Sequence, residues 1–112
     1  MLTLQDFAET NDERLLQVQR GMHRQTVEQI MDGYQAEKWI NPFKRQSYTD
    51  ADGKAYEVLF YLTRPPRAGQ RISENFLSPV IFQEERVVSI GRYPLKKLRR
   101  SACVGRTEAC SK

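Results

Sequence analysis

Long apolar runs, histidine, cysteine and glycine-rich segments are all scarce in this chain of 112 residues, and each scarcity closes off a class of function. Nowhere does the sequence run for about 18 residues without polar interruption, so it contains no membrane-spanning helix. His23 is the one histidine, so a Ser-His-Asp or Cys-His pair would have to use it. No serine or cysteine nucleophile motif stands beside it, and its position at a predicted helix start reads as a surface imidazole in a cap. Cys103 and Cys110 lack the further Cys or His neighbours that a metal site needs. They could close a small disulfide loop in an oxidising compartment or stay as idle thiols in a reducing one. Gly33, Gly53, Gly69 and Gly91 are isolated, which leaves no phosphate-cradling loop. The reading is therefore of a non-enzyme with no catalytic residue, no cofactor and no metal.

What is present is one domain's worth of chain with 18 Lys and Arg against 14 Asp and Glu, a net charge of +4. The charge is uneven, because Lys96, Lys97, Arg99, Arg100, Arg106 and Lys112 gather at the end with Glu108 the sole acid among them. Such a run reads as a solvated, flexible tail covering 94–112. The N-terminal Met-Leu-Thr-Leu-Gln-Asp-Phe has neither the basic start nor the apolar stretch of a signal peptide, so the chain is either cytosolic or a processed form with an added Met.

The organising stretch is Ala55–Thr63. Tyr56, Val58, Phe60 and Leu62 fall on one face of a strand there, and Glu57, Leu59, Tyr61 and Thr63 on the other. Since the second face is only partly polar, either both sides are covered or the outer side meets a partner. Residues 1–10 read as a lead-in. A helix follows, capped by Asn11 or Asp12, striped by Leu15, Leu16 and Val18 and ended by Gly21. A second short helix carries Val27, Ile30 and Met31 at helical spacing and stops at Gly33. From Ala36 to Thr49 the pattern is extended, interrupted by Asn41-Pro42, which points to an edge strand or a bulge. Asp50-Ala-Asp-Gly53 turns the chain into the central strand, and local hydrogen bonding explains both carboxylates better than acid–base chemistry does. Arg64-Pro-Pro-Arg-Ala-Gly-Gln-Arg71 is a long exposed loop. Pro79–Gln83 and Val87–Gly91 then form a hairpin. The expected fold is α+β: two short N-terminal helices on one face of an antiparallel meander of three to four strands, filling 11–93.

A helix followed by Gly21-Met22, an apolar pair ending in Ile30-Met31, and a meander with Tyr56-Glu-Val-Leu-Phe-Tyr61 and Pro79-Val-Ile-Phe82 resembles the small SmpA/OmlA (BamE-like) bacterial envelope proteins. It is most similar to an uncharacterised branch of that helix-helix-meander type, over about residues 11 to 92. The resemblance implies a binding or scaffolding role in the cell envelope, at the periplasmic side if a signal sequence has been removed. This chain has His23 where those proteins place Ser or Thr after Gly-Met, and Glu84-Glu85 where they favour Asn-Gly or Asp-Gly. A non-glycine at positive φ costs about 1 kcal/mol or more, so the last hairpin is expected to be longer or of another type.

The partner-binding candidates are Arg45, Tyr48, Tyr61, Arg64, Arg67 and Arg71. Trp39 and Phe43 read as core, while Arg45 and Tyr48 are left for the surface. The loop arginines suit an acidic protein partner or weak contact with anionic lipid headgroups. A small basic cytosolic nucleic-acid-binding protein is the alternative, although the motifs of specific nucleic-acid readout are missing.

Overall fold

The computed structural model describes residues 4–32, 42–67 and 69–103. The chain is α+β, as the sequence predicts, with the order α1 (Leu4–Leu15), α2 (Arg24–Asp32), β1 (Lys44–Asp50), β2 (Ala55–Leu62), β3 (Leu77–Gln83), β4 (Arg86–Ile90), α3 (Arg92–Ser101) and β5 (Ala102–Cys103). The four longer strands form an antiparallel meander in the order β4-β3-β2-β1, and β5 adds two residues to the outer edge of β1. β2 is central, and its register puts Val58 beside Ile81 and Leu59 beside Val80.

Alternation along β2 generates two cores. Val58, Phe60 and Leu62 join Tyr48, Leu77, Ile81, Leu95 and Leu98 on one face. Leu59 and Tyr61 join Val27, Met31, Val80, Phe82 and Val87 on the other. Both sides of the strand are thus covered, α2 lying over the second face and α3 over the first. That arrangement explains why the second face of β2 carries Leu59 and Tyr61 rather than a clean polar row.

The helices depart from the sequence reading in three places. α1 begins at Leu4, inside the expected lead-in, and Asn11 lies within it rather than at its cap. Asn11 is fully buried, and its Nδ2 donates to the Leu62 carbonyl at 2.9 Å. This ties the helix to the end of β2, so that Ala8 reaches one core and Leu15 the other. Leu16 is left 83% exposed just past the helix end. Gly21 (φ 90°) caps no helix, but donates its N–H to the Val87 carbonyl at 2.7 Å. The return bond from Val87 N–H to the Met22 carbonyl, at 2.9 Å, lays the α1–α2 link along the edge of β4.

The third departure is the largest. Residues read as the start of a basic tail form α3 and β5, with Leu95 and Leu98 buried. A tail beginning at 94 is therefore wrong for 94–103: two leucines three apart place apolar surface on one side of a helix, which packs on the sheet despite the surrounding charge.

The turns divide similarly. Asp50 Oδ1 accepts from the N–H groups of Asp52 and Lys54 at 3.0 and 2.9 Å, and Gly53 takes φ 84°, as the turn reading requires. The β3–β4 turn does not lengthen or change type. Gln83 pairs with Arg86, and Glu84 and Glu85 both sit at positive φ, 52° and 68°. β1 begins at Lys44, after Pro42. The expected Gly33 stop, the Ala36–Asn41 part of the extended run with Trp39, and the Cys103–Cys110 pairing lie outside the described residues and side chains.

Candidate functional site

α3 has the sequence Arg92-Tyr-Pro-Leu-Lys-Lys-Leu-Arg-Arg-Ser101, five cations and no acid. Gly91, at φ 111°, makes the tight entry, and its carbonyl accepts the first helical bond from Leu95 N–H at 3.4 Å. Pro94 falls in the first turn, where a missing N–H costs nothing. Leu95 and Leu98 point to the sheet, which leaves the cations to be sorted between inside and outside.

Arg99 goes inside. Its guanidinium binds Glu74 in a fork, with contacts of 2.9 Å to Oε1 and 2.8 Å to Oε2. It also donates to the Tyr48 hydroxyl at 2.7 Å and to Gln46 Oε1 at 3.0 Å. Lys44 Nζ reaches Glu74 Oε2 at 2.5 Å and sits 4.9 Å from the centre of the Phe60 ring. The hydrogen bonds from Arg99, helped by Lys44 and opposed by burial, hold the Glu74 carboxyl down to about 2. The same bonds to Glu74 raise the Arg99 guanidinium above its ordinary value. Five residues thus clasp α3, β1 and the 3-10 turn at Glu74–Phe76 over Phe60. A bidentate Arg–carboxylate pair supplies orientation as well as charge, so the clasp fixes where α3 lies. Arg92, at the other end of the helix, donates to the Asn75 carbonyl at 2.6 Å.

Lys96, Lys97 and Arg100 stay outside, and none forms an ion pair among the described residues. Lys97 Nζ lies 5.5 Å from the centre of the Tyr93 ring, which is 72% exposed. Beneath this lip runs a groove of about 770 Å³ between α3 and the outer part of the sheet. Ile81 and Val88 lie along its floor, Pro94 and Leu98 on one wall, and Arg20 on the far side. Asp50 and Tyr56 also line it. The Tyr56 hydroxyl donates to Asp50 Oδ2 at 3.3 Å, and burial first, then the Asp50 charge, raises its pKa above the ordinary tyrosine value. It therefore remains a donor at neutral pH.

The residues expected to meet a partner are scattered. Tyr48 is buried, with its hydroxyl bonded to Gln46 and Arg99, and Tyr61 is fully buried under α2. Neither ring is presented to a partner, because β1 and β2 each turn that face into a core. Arg45 is exposed but on the side of β1 opposite Tyr48, next to Leu59 in register. Arg64, Arg67 and Arg71 are exposed on the β2–β3 loop and line no part of the groove. His23 is exposed, and its Nδ1 accepts from Gln25 N–H at 3.1 Å, capping α2. Among the described residues no three of His, Cys, Asp and Glu gather as metal ligands, and no helix is long and apolar enough to cross a membrane.

Tyr93, Lys97 and Arg20 are missing from the partner-binding candidates of the sequence, where Lys97 reads only as one cation of the basic tail. The signal for the first two was the Leu95–Leu98 spacing inside the basic run. Arg20 carried none, since its place at the groove depends on the long-range pairing of Gly21 and Met22 with β4. No family model matches the chain, and no curated protein or solved structure matches it significantly.

Proposed function

We propose that this chain is a non-enzymatic binding domain of the bacterial cell envelope that holds an acidic protein partner on the outer face of α3. One observation carries the reading: Lys96, Lys97 and Arg100 face outward from a helix without an acid, on a helix whose position is fixed by the Arg99–Glu74 clasp. Charge alone steers association and sets its rate, whereas charge on a rigid element also fixes orientation. The envelope setting is supported by the order of two helices followed by an antiparallel meander, the order on which the SmpA/OmlA resemblance rests. Weak contact with anionic lipid headgroups belongs to the same surface, and Arg64, Arg67 and Arg71 are further exposed cations on the β2–β3 loop.

The same cations favour a second reading, a sequence-indifferent nucleic-acid binder, because a basic helix neutralises phosphates as readily as carboxylates. Titration separates them: the native chain and a Lys96→Glu/Lys97→Glu/Arg100→Glu variant are tested against poly-L-glutamate, phosphatidylglycerol vesicles and single-stranded DNA at two salt concentrations. The proposal expects poly-L-glutamate to bind the native chain, to weaken with salt and to be lost from the variant. Single-stranded DNA binding that is tighter than poly-L-glutamate binding at both salt concentrations, falls with salt and is lost from the variant would promote the second reading. Indifference of both proteins to all three ligands would remove the cationic face as a binding surface.

A further inference from the structure

The geometry points to the groove beside α3 as a docking site for an extended peptide segment of a partner protein that carries both acidic and apolar side chains. This rests on the reading of α3 as an acidic-partner surface and narrows it to one place and one chemistry.

The floor supplies the apolar half of the recognition. Ile81 is buried at the bottom, Val88 and Ile90 are half-buried beside it, and Leu98 and Pro94 rise on the helix side. The volume of about 770 Å³ is at the upper end of what a small-molecule site occupies. A small-molecule site, however, surrounds its ligand, and here the lip formed by Tyr93 and Lys97 stands exposed to solvent. An open trough with an apolar floor suits a chain that enters at one end and leaves at the other. Gln83, Ser89 and Ser101 lie along it and offer side-chain donors and acceptors to a backbone.

Charge chooses the sign of the occupant. Lys97 on the helix wall and Arg20 on the far wall are both cationic, and Lys96 and Arg100 extend the same field over the outside of α3. The one acid in the lining is Asp50, whose two oxygens are engaged by the N–H groups of Asp52 and Lys54 and by the Tyr56 hydroxyl. It is turned to the β1–β2 turn rather than to an incoming ligand, so a basic peptide would find no free carboxylate there.

The walls are held in place before anything binds. The Arg99–Glu74 fork fixes α3, and the far wall is pinned to β4 by the Gly21–Val87 and Val87–Met22 backbone bonds and by Arg86, which donates to the Gly21 carbonyl at 2.9 Å. Pre-organisation lowers the ordering cost of association, and Tyr and Arg, here Tyr93 and Arg20, are residue types in which interface binding energy concentrates.

The test uses fluorescein-labelled nine-residue peptides, Glu-Leu-Ser, Glu-Ser-Ser and Lys-Leu-Ser each repeated three times, titrated against the full chain by anisotropy and by amide shifts in ¹⁵N spectra. The Glu-Leu-Ser peptide is expected to bind at least about tenfold more tightly than either of the others, a difference of about 1.4 kcal/mol. It should shift the amides of Gln83, Val88, Ser89, Tyr93 and Leu98. Tyr93→Ser, at a position 72% exposed, should weaken that peptide several-fold more than it weakens poly-L-glutamate. Arg20→Glu should weaken both acidic peptides. If Glu-Ser-Ser binds as well as Glu-Leu-Ser, with shifts confined to the outer face of α3, the groove is overturned while the cationic face stands. Equal binding of Lys-Leu-Ser would overturn the acidic assignment. Absence of binding and of shifts with all three would refute the groove, and poly-L-glutamate then decides the cationic face separately.

Discussion

The β3–β4 turn should become more stable when its second residue is replaced by glycine. Glu84 and Glu85 occupy a two-residue hairpin loop with φ of 52° and 68°, the positive-φ pair of a type I′ turn. For a residue with a Cβ that region costs about 1–2 kcal/mol. Glycine removes the cost but loses about 0.5–1 kcal/mol more conformational entropy on folding. Glu85→Gly is therefore expected to gain about 0.5–1 kcal/mol, and Glu84→Asn/Glu85→Gly somewhat more, because Asn tolerates the left-handed region. No contact is given up at the backbone: the Glu85 carbonyl, which accepts from Arg24 N–H at 2.7 Å, survives the substitution. Urea titration reads the gain as a higher midpoint at unchanged slope, and melting should rise by roughly 4 °C per kcal/mol. Glu85→Ala is the control. It deletes the same charge but keeps Cβ, so it should stay near the parent; if it gains as much as glycine, like-charge repulsion with Glu84 and Glu57 is the cause and the strain argument is wrong. A loss of stability in Glu85→Gly would mean that the glutamate side chain itself holds the turn.

Phe60→Ala should cost about 3–5 kcal/mol, since the ring is 1% exposed between β2 and α3; a loss below about 1 kcal/mol in denaturant would show that α3 does not seal that face. Glu74 gives a pH signature: its folded pKa of about 2 lies below the ordinary 4.5, so its contribution is whole above about pH 4.5 and is lost as pH falls toward 2. With 38% of its side chain exposed the effect is moderated by solvent, and Glu74→Gln should flatten stability against pH in that window; an unchanged slope would remove the clasp from the account.

Where local pattern and tertiary environment agree, the sequence is enough. β2 is legible because its alternation serves two packed faces, and the Asp50–Gly53 turn because its hydrogen bonds close within five residues. Asn11 misleads for the opposite reason. A polar residue near a helix start looks like a cap, yet its partner is the Leu62 carbonyl, 51 positions away. Glu84-Glu85 lacks the glycine that announces a tight turn, and the pairing on either side imposes the geometry regardless. In α3 the charge hides the pattern: Leu95 and Leu98 are two apolar residues among five cations, and only the uncovered Val58–Phe60–Leu62 face creates a need for them.

The same reasoning accounts for the candidate site. An aromatic on a strand can be surface only if one face of the sheet is bare, so Tyr48 and Tyr61 ceased to be candidates once both faces were covered. The element that covers the Phe60 face is itself the most basic segment of the described chain, and packing its two leucines inward necessarily turns Lys96, Lys97 and Arg100 outward. Arg99 is the exception that fixes the rest: held by Glu74 and stacked within 5.9 Å of the Phe60 ring centre, it converts one of those cations into the structural bond that orients the others. Cationic face and core are in this way two sides of one ten-residue helix. Any substitution that loosens its packing should therefore alter the groove along with stability.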